Sequence, residues 1–233
     1  MAIEQIKKDL ENLANPEKAK LLQRFFKTAK GEYGEGDIFL GIMVPQQRKV
    51  ANKHKDLTLN QLQQLLKSNI HEHRLTAIFI LVHKYKKTNQ KTKKQIFNFY
   101  LKNTNRINNW DLIDLSAPNI VGNYLLDKPK DILYKLARSK SLWEKRIAIL
   151  STFAFIANNE YKDTLKISEI LLNDTHDLIH KGVGWMLREV GKRVSQQKEE
   201  QFLKKHYKNM PRTMLRYAIE RFPENKRKFY MKK

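Results

Sequence analysis

The 233-residue chain contains no cysteine, which excludes disulfides and thiolate metal sites and makes an intracellular setting the default expectation. Proline and glycine are scarce, at six and eight residues, so little along the chain interrupts a regular backbone. No run approaches the roughly 18 consecutive apolar residues of a membrane span. The opening stretch MAIEQIKKDLENL carries acids and spaces its apolar residues three and four apart, as a first helix does and a signal peptide does not. Negative charge is short too: 24 Asp and Glu stand against 46 Lys and Arg, a formal charge of +22. A surplus that large exceeds ordinary surface solvation and favours a nucleic acid or another acidic surface as partner. What is present is a 41% hydrophobic content with 10% aromatics, enough for a folded core rather than a disordered basic tail.

Apolar residues recur at helical spacing almost everywhere, and no stretch sustains strand alternation, so the expected class is all-α. The pattern places helices at 3–13, 16–27, 45–53, 58–66, 72–85, 91–101, 110–126, 131–137, 142–156, 161–172, 177–192, 197–207 and 211–222. A basic residue followed by an apolar run recurs in HRLTAIFIL, KRIAILSTF, HKGVGWMLR and PRTMLRYAI. Arg74, Trp110, Arg146 and Lys181 fall 36, 36 and 35 positions apart. Tetratricopeptide and ankyrin repeats have similar lengths, but their signatures are absent, and a HEAT unit runs to roughly 40 residues. The expectation is a HEAT-like helical-repeat solenoid, a curved α-α superhelix forming one domain over 1–233 with a concave basic groove. An irregular helical bundle is the alternative. A solenoid of this size is expected as a monomer, and the basic segment 195–233 as a capping helix pair with a frayed, phosphate-contacting tail.

The glycine-rich stretch KTAKGEYGEGD lacks the GxxxxGK[ST] order and follows no strand, so it is expected as a mobile polar connection rather than a phosphate-binding loop. On the helix around Trp185, Ile179, Val183, Met186, Leu187 and Val190 form one stripe, and Lys181, Trp185, Arg188 and Lys192 lie opposite. An indole among cations suits a nucleotide; packing against a neighbouring repeat would explain it equally well. In NNWDLIDLSAP, Pro118 is expected to start a new helix with Ser116 as its N-cap, confining 110–115 to a short helical piece. Trp110 and Asp114, four apart, then share one side, and Asp111 complements the dipole from the first turn. Arg146 opens an almost wholly apolar helix and needs an anion, which Asp114 or a phosphate would supply. The seven histidines show no metal-ligand spacing on a helix face, His71 and His73 included.

NWDLIDLSAP, LWEKRIAIL and KGVGWMLRE, in this order, resemble the DNA alkylation repair family of HEAT-like repeat proteins, and NPEKAKLLQRFFKTAKGEYGEGDIFLGIMVP resembles its N-terminal helices. The likeness runs from about Asn15 to Arg193. It implies a monofunctional glycosylase that excises positively charged N3- and N7-alkylated purines from duplex DNA, without metal or cofactor, in the cytoplasm at the nucleoid. Matched position by position, it makes Asp114 the catalytic carboxylate, Trp110 and Trp185 the aromatics beside it, and Arg146 a phosphate contact. Phe25 stands where the best-known members carry Tyr, which keeps a flat apolar surface and loses a hydroxyl. The family also includes DNA binders suspected of excising nothing, so the alternative is a noncatalytic HEAT-repeat protein for branched or distorted DNA. A helical scaffold for an acidic protein is a third class; it leaves the pairing of Trp110 with Asp114 without a purpose.

Overall fold

Helices begin where the sequence supplies a side chain for the first unsatisfied N–H groups. Asn15 accepts from the Lys18 amide at 3.0 Å just ahead of Pro16, and Thr58 closes a capping box with Gln61. Asn89, Asn109, Ser141 and Ser195 cap later helices in the same way.

A computed structural model describes residues 2–232, which divide after Ser116 into two compact units. The first unit holds α1 (Ala2–Glu11), α2 (Pro16–Phe25), α3 (Val44–Lys53), α4 (Leu59–Leu66), α5 (His71–Lys86), α6 (Gln90–Lys102) and α7 (Trp110–Asp114). The second holds α8 (Asp131–Ala137), α9 (Leu142–Ser151), α10 (Phe153–Ile156), α11 (Lys162–Ile170), α12 (Asp177–Arg193), α13 (Gln196–His206), α14 (Arg212–Ala218) and α15 (Glu224–Met231). No strand occurs among the described residues; Ile38 and Ile70 form an isolated parallel bridge. No described helix is long and apolar enough to cross a membrane.

The chain is therefore an all-α helical-repeat fold, and the 35–36-residue period reappears as Arg74, Trp110, Arg146 and Lys181 on α5, α7, α9 and α12. Each unit is organised on one central helix. In the first, α5 is buried continuously from His71 to Leu81 and packs against α1, α3, α4, α6 and α7. In the second, α12 packs against α9, α11, α13 and α14. Glycines on α12 allow the closest of these approaches. A Cβ on Gly184 would sit 2.4 Å from the Met214 carbonyl oxygen, whereas one on Gly182 would meet only side chains, the nearest at 3.2 Å. Gly184→Ala should therefore destabilise by about 1–3 kcal/mol through overpacking against α14. Gly182→Ala should stay within about 1 kcal/mol of the natural chain, because the gain in helix propensity offsets the squeeze. Urea unfolding of the two variants checks this, and equal effects would refute it.

Three local expectations are corrected by the structure. The run 110–126 is broken, but Ser116 does not cap a new helix. Its hydroxyl donates to the Leu112 carbonyl at 2.5 Å and receives the Tyr100 hydroxyl at 2.8 Å. Ala117 stays helical (φ −57°, ψ −46°), and Pro118–Gly122 forms a π turn, which absorbs the hydrogen bond that proline cannot make. The run 142–156 breaks at Thr152, where Ser151 and Thr152 bond back to the Ile147 and Ile149 carbonyls. The tail is helical as α15, held by buried Tyr230 and by Lys226 on Glu200 at 2.9 Å.

Candidate functional site

In the first unit the site is built on a buried polar network. Asp37, the last residue of the glycine-rich stretch, receives Arg74 Nη2 at 2.6 Å on one oxygen. On the other it takes His71 Nδ1 at 3.1 Å and Asn109 Nδ2 at 3.2 Å. His71 Nε2 reaches Asp111 at 2.8 Å, so one imidazole bridges two carboxylates. The connection expected to be mobile is tied down instead. Glu32 and Glu35 bond back to the amides of Ala29 and Gly31, and Asp37 is buried. Downstream, Glu72 takes the amides of Leu40, Gly41 and Ile42 at 2.9, 2.8 and 3.2 Å. Asn109 is also the N-cap of α7, its oxygen accepting from the Trp110 amide at 2.8 Å. The network therefore fixes the start of the helix that carries Trp110 and Asp114. Asp111, expected only to complement a dipole, is buried within it.

An aromatic column lies beside this network. Trp110 stacks on Phe26 at 5.1 Å and 10°, Phe26 on Phe39 at 4.9 Å and 25°, and Phe39 on His71 at 4.5 Å and 20°. Phe25 meets Trp110 edge-on at 6.0 Å and stays 64% exposed, an unusual state for a phenyl ring. Trp110 and Asp114, at the two ends of α7, are both half-buried, while Leu112 and Ile113 between them are fully buried. The negative charge of Asp114 reaches Tyr100; burial above all, and then that charge, raises the Tyr100 phenol and keeps it protonated.

Two histidines near the start of α5 are displaced in opposite directions. Burial works against charging His71, but the carboxylates of Asp111 and Asp37 outweigh it and raise its pKa to about 9. Burial, with Lys7 and Arg74 nearby, lowers His73 to about 4 and keeps it neutral. Because the folded value of His71 lies above the unfolded one, its stabilisation is complete below about pH 6.5 and is lost as pH rises through about 9. Asp37 responds at the opposite end. Burial opposes its ionisation, yet the His71 hydrogen bond and the Arg74 charge hold it below the usual carboxylate range, so its contribution is lost on acidification. The cost of His71→Gln should thus shrink by about 3 kcal/mol between pH 6.5 and pH 9.5. Denaturant unfolding of both proteins across that range measures it, and a pH-independent difference would contradict the charged assignment.

In the second unit, Lys181, Trp185, Arg188 and Lys192 share α12 as the spacing requires, but their surroundings differ. Lys181 pairs with Asp177 one turn back at 2.5 Å, and Arg188 with Glu220 and Glu189. Lys192 is exposed. Half-buried Trp185 lies 6.3 Å from the Phe153 ring, over which Arg193 sits at 5.0 Å, a cation–π contact absent from the sequence reading. Arg146 is only 4% exposed, and its guanidinium donates to the Leu178 carbonyl at the start of α12. Arg74 does the equivalent in the first unit, donating to the Ser68 carbonyl at 3.0 Å. Both repeat-phase arginines thus hold a neighbouring turn within their own unit. Among the described residues no three His, Asp or Glu are grouped to hold a metal ion.

The sequence model of a family described as DNA alkylation repair enzyme matches residues 6–222. Among solved structures, one described as a predicted DNA alkylation repair enzyme from Enterococcus faecalis aligns with a TM-score of 0.68. That alignment covers 91% of this chain and 97% of the other at 16% identity, a likeness of fold. A comparison with curated proteins gave no match.

Proposed function

The chain belongs to the DNA alkylation repair enzyme family, and we propose that within it the protein is a monofunctional glycosylase for N3- and N7-alkylated purines in duplex DNA. One observation carries the reading: Trp110 and Asp114 stand half-exposed at the ends of a five-residue helix held from behind by buried ion pairs and stacked rings. Such a carboxylate is oriented before any substrate arrives, the condition under which electrostatic catalysis is strongest.

Alkylation leaves the purine cationic and therefore a good leaving group. As the N-glycosidic bond lengthens, positive charge develops on the deoxyribose. The Asp114 carboxylate stabilises that charge, orients a water molecule toward C1′ and takes its proton as the C–O bond forms. The indole of Trp110 and the phenyl of Phe25 offer apolar surface to the sugar and exclude bulk water, and the indole adds cation–π attraction. On the second unit, Trp185 and Lys192 serve DNA binding in this reading, with Lys181 and Arg188 exchanging their acidic partners for phosphates and Arg146 approaching the backbone from its anchored position.

The test is release of 7-methylguanine from a methylated duplex in single-turnover conditions, against a protein-free control because that lesion depurinates spontaneously. Release no faster than the control, despite tight duplex binding, would replace the glycosylase with a noncatalytic DNA-binding protein.

A further inference from the structure

The C-terminal unit contains a second, separate concentration of cations. α15 begins at Glu224, beyond residue 222 where the family match ends. It is held firmly: Tyr230 is buried and packs edge-on against Tyr207 at 5.3 Å, and Lys226 pairs with Glu200. Arg227, one position along from Lys226, turns instead toward α14. There Arg212 and Arg216, one helical turn apart, border a cleft of about 430 Å³ together with Arg227 and Lys228. Ile219 and Met231 supply its apolar lining. The single acid at the cleft, Glu224, is occupied by Lys228 at 2.7 Å.

Arg212, Arg216 and Arg227 are exposed, and their guanidinium groups have no ion-pair or hydrogen-bond partner among the described residues. Three unpaired guanidiniums thus border one cleft whose acid, Glu224, is already paired with Lys228. Their planar forks suit phosphate oxygens bidentately. We propose that α14 and α15 form an accessory phosphate-binding cleft that grips the nucleic-acid backbone, with α15 contributed from beyond the part of the chain that matches the family. The assignment to DNA rests on the functional reading above; the phosphate chemistry of the cleft does not.

The experiment uses the full chain and an unmodified duplex, so it requires no base release. Binding is followed by fluorescence anisotropy from low to moderate salt for the natural protein, for Arg212→Ala/Arg216→Ala/Arg227→Ala, and for the corresponding triple lysine variant. Each phosphate contact contributes about 0.9 to the slope of log K against log salt. The alanine variant should therefore show a slope shallower by about 1–3 and bind at least about tenfold more weakly near 0.1 M salt. The lysine variant should keep most of the slope. Arg216→Gln alone, with a circular-dichroism melt, serves if the triple alanine variant folds poorly, and should lower the slope in the same direction.

An unchanged slope in a folded variant overturns the cleft and leaves the functional reading standing. Failure of the natural chain to bind duplex defeats both. Calorimetric titration with inorganic phosphate and with ADP separates the sources of phosphate. Tight binding of either, lost in the alanine variant while the DNA slope is unchanged, would assign the cleft to a small phosphorylated ligand and overturn the backbone assignment.

Discussion

Asp114→Asn is expected to reduce 7-methylguanine release by at least about 10³-fold while leaving duplex affinity within about twofold. Removing a single neutral hydrogen-bond donor aimed at transition-state charge costs about 10²–10³ in rate, and a full counter-charge beside a developing cation is worth at least as much. The exchange is nearly isosteric. It leaves the Asn109 cap and the buried Asp111 untouched, so α7 keeps its place and its indole. Asp114 is only a secondary influence on the Tyr100 phenol, which burial keeps protonated in the variant as well. Release that persists in the variant would sink the mechanism while leaving the activity standing. If the natural chain binds DNA tightly and releases nothing, Phe25→Tyr is the first substitution to make, because it restores the hydroxyl at an exposed ring touching Trp110.

The second large effect concerns the fold beneath the site. Asp37→Asn should cost about 3–5 kcal/mol, the range for removing one member of a buried ion pair. Arg74 is 1% exposed and His71 2% by side chain, so neither cation can turn to water when its counter-charge is removed. Natural domains are stable by only about 5–15 kcal/mol, so this single neutralisation would consume a large part of the margin. Because His71 relies on the same carboxylate, Asp37→Asn combined with His71→Gln should cost less than the sum of the two single changes, by about 1 kcal/mol or more. Additive costs in urea unfolding would show that the two side chains do not act as one network. The same substitution loosens the Asn109 cap, so base release should fall even where the variant remains folded.

Much of the fold was legible locally, because a helix is a local object. Apolar spacing acts over one or two turns, and it located most helices to within a residue or two. Pro118 preceded by Ser116 reads as a helix start, but the Tyr100 hydroxyl and the Leu112 carbonyl claim the serine. Arg146, at the head of an apolar helix, donates to the Leu178 carbonyl, a contact that the local sequence does not signal.

The site divides along the same line. Trp110 and Asp114 were visible together because four positions make one helical turn, and Trp185 because cations flank it at the same spacing. Asp37, His71, Arg74, Asn109 and Asp111 were not, although an aspartate ending a glycine-rich stretch and a lone histidine at a helix start were both in plain view. Phe26, Phe39 and Phe153 were equally silent as ring partners. Residues 37 and 109 lie 72 positions apart, about two repeat lengths, and the recurrence does not say that their side chains meet. The sequence by itself determined the helices, their repeat, the surplus of positive charge and the pairing of an indole with a carboxylate. Only the tertiary structure decided which charges are neutralised in the interior and which stay exposed, because pairing a buried charge depends on distances that chain separation does not encode.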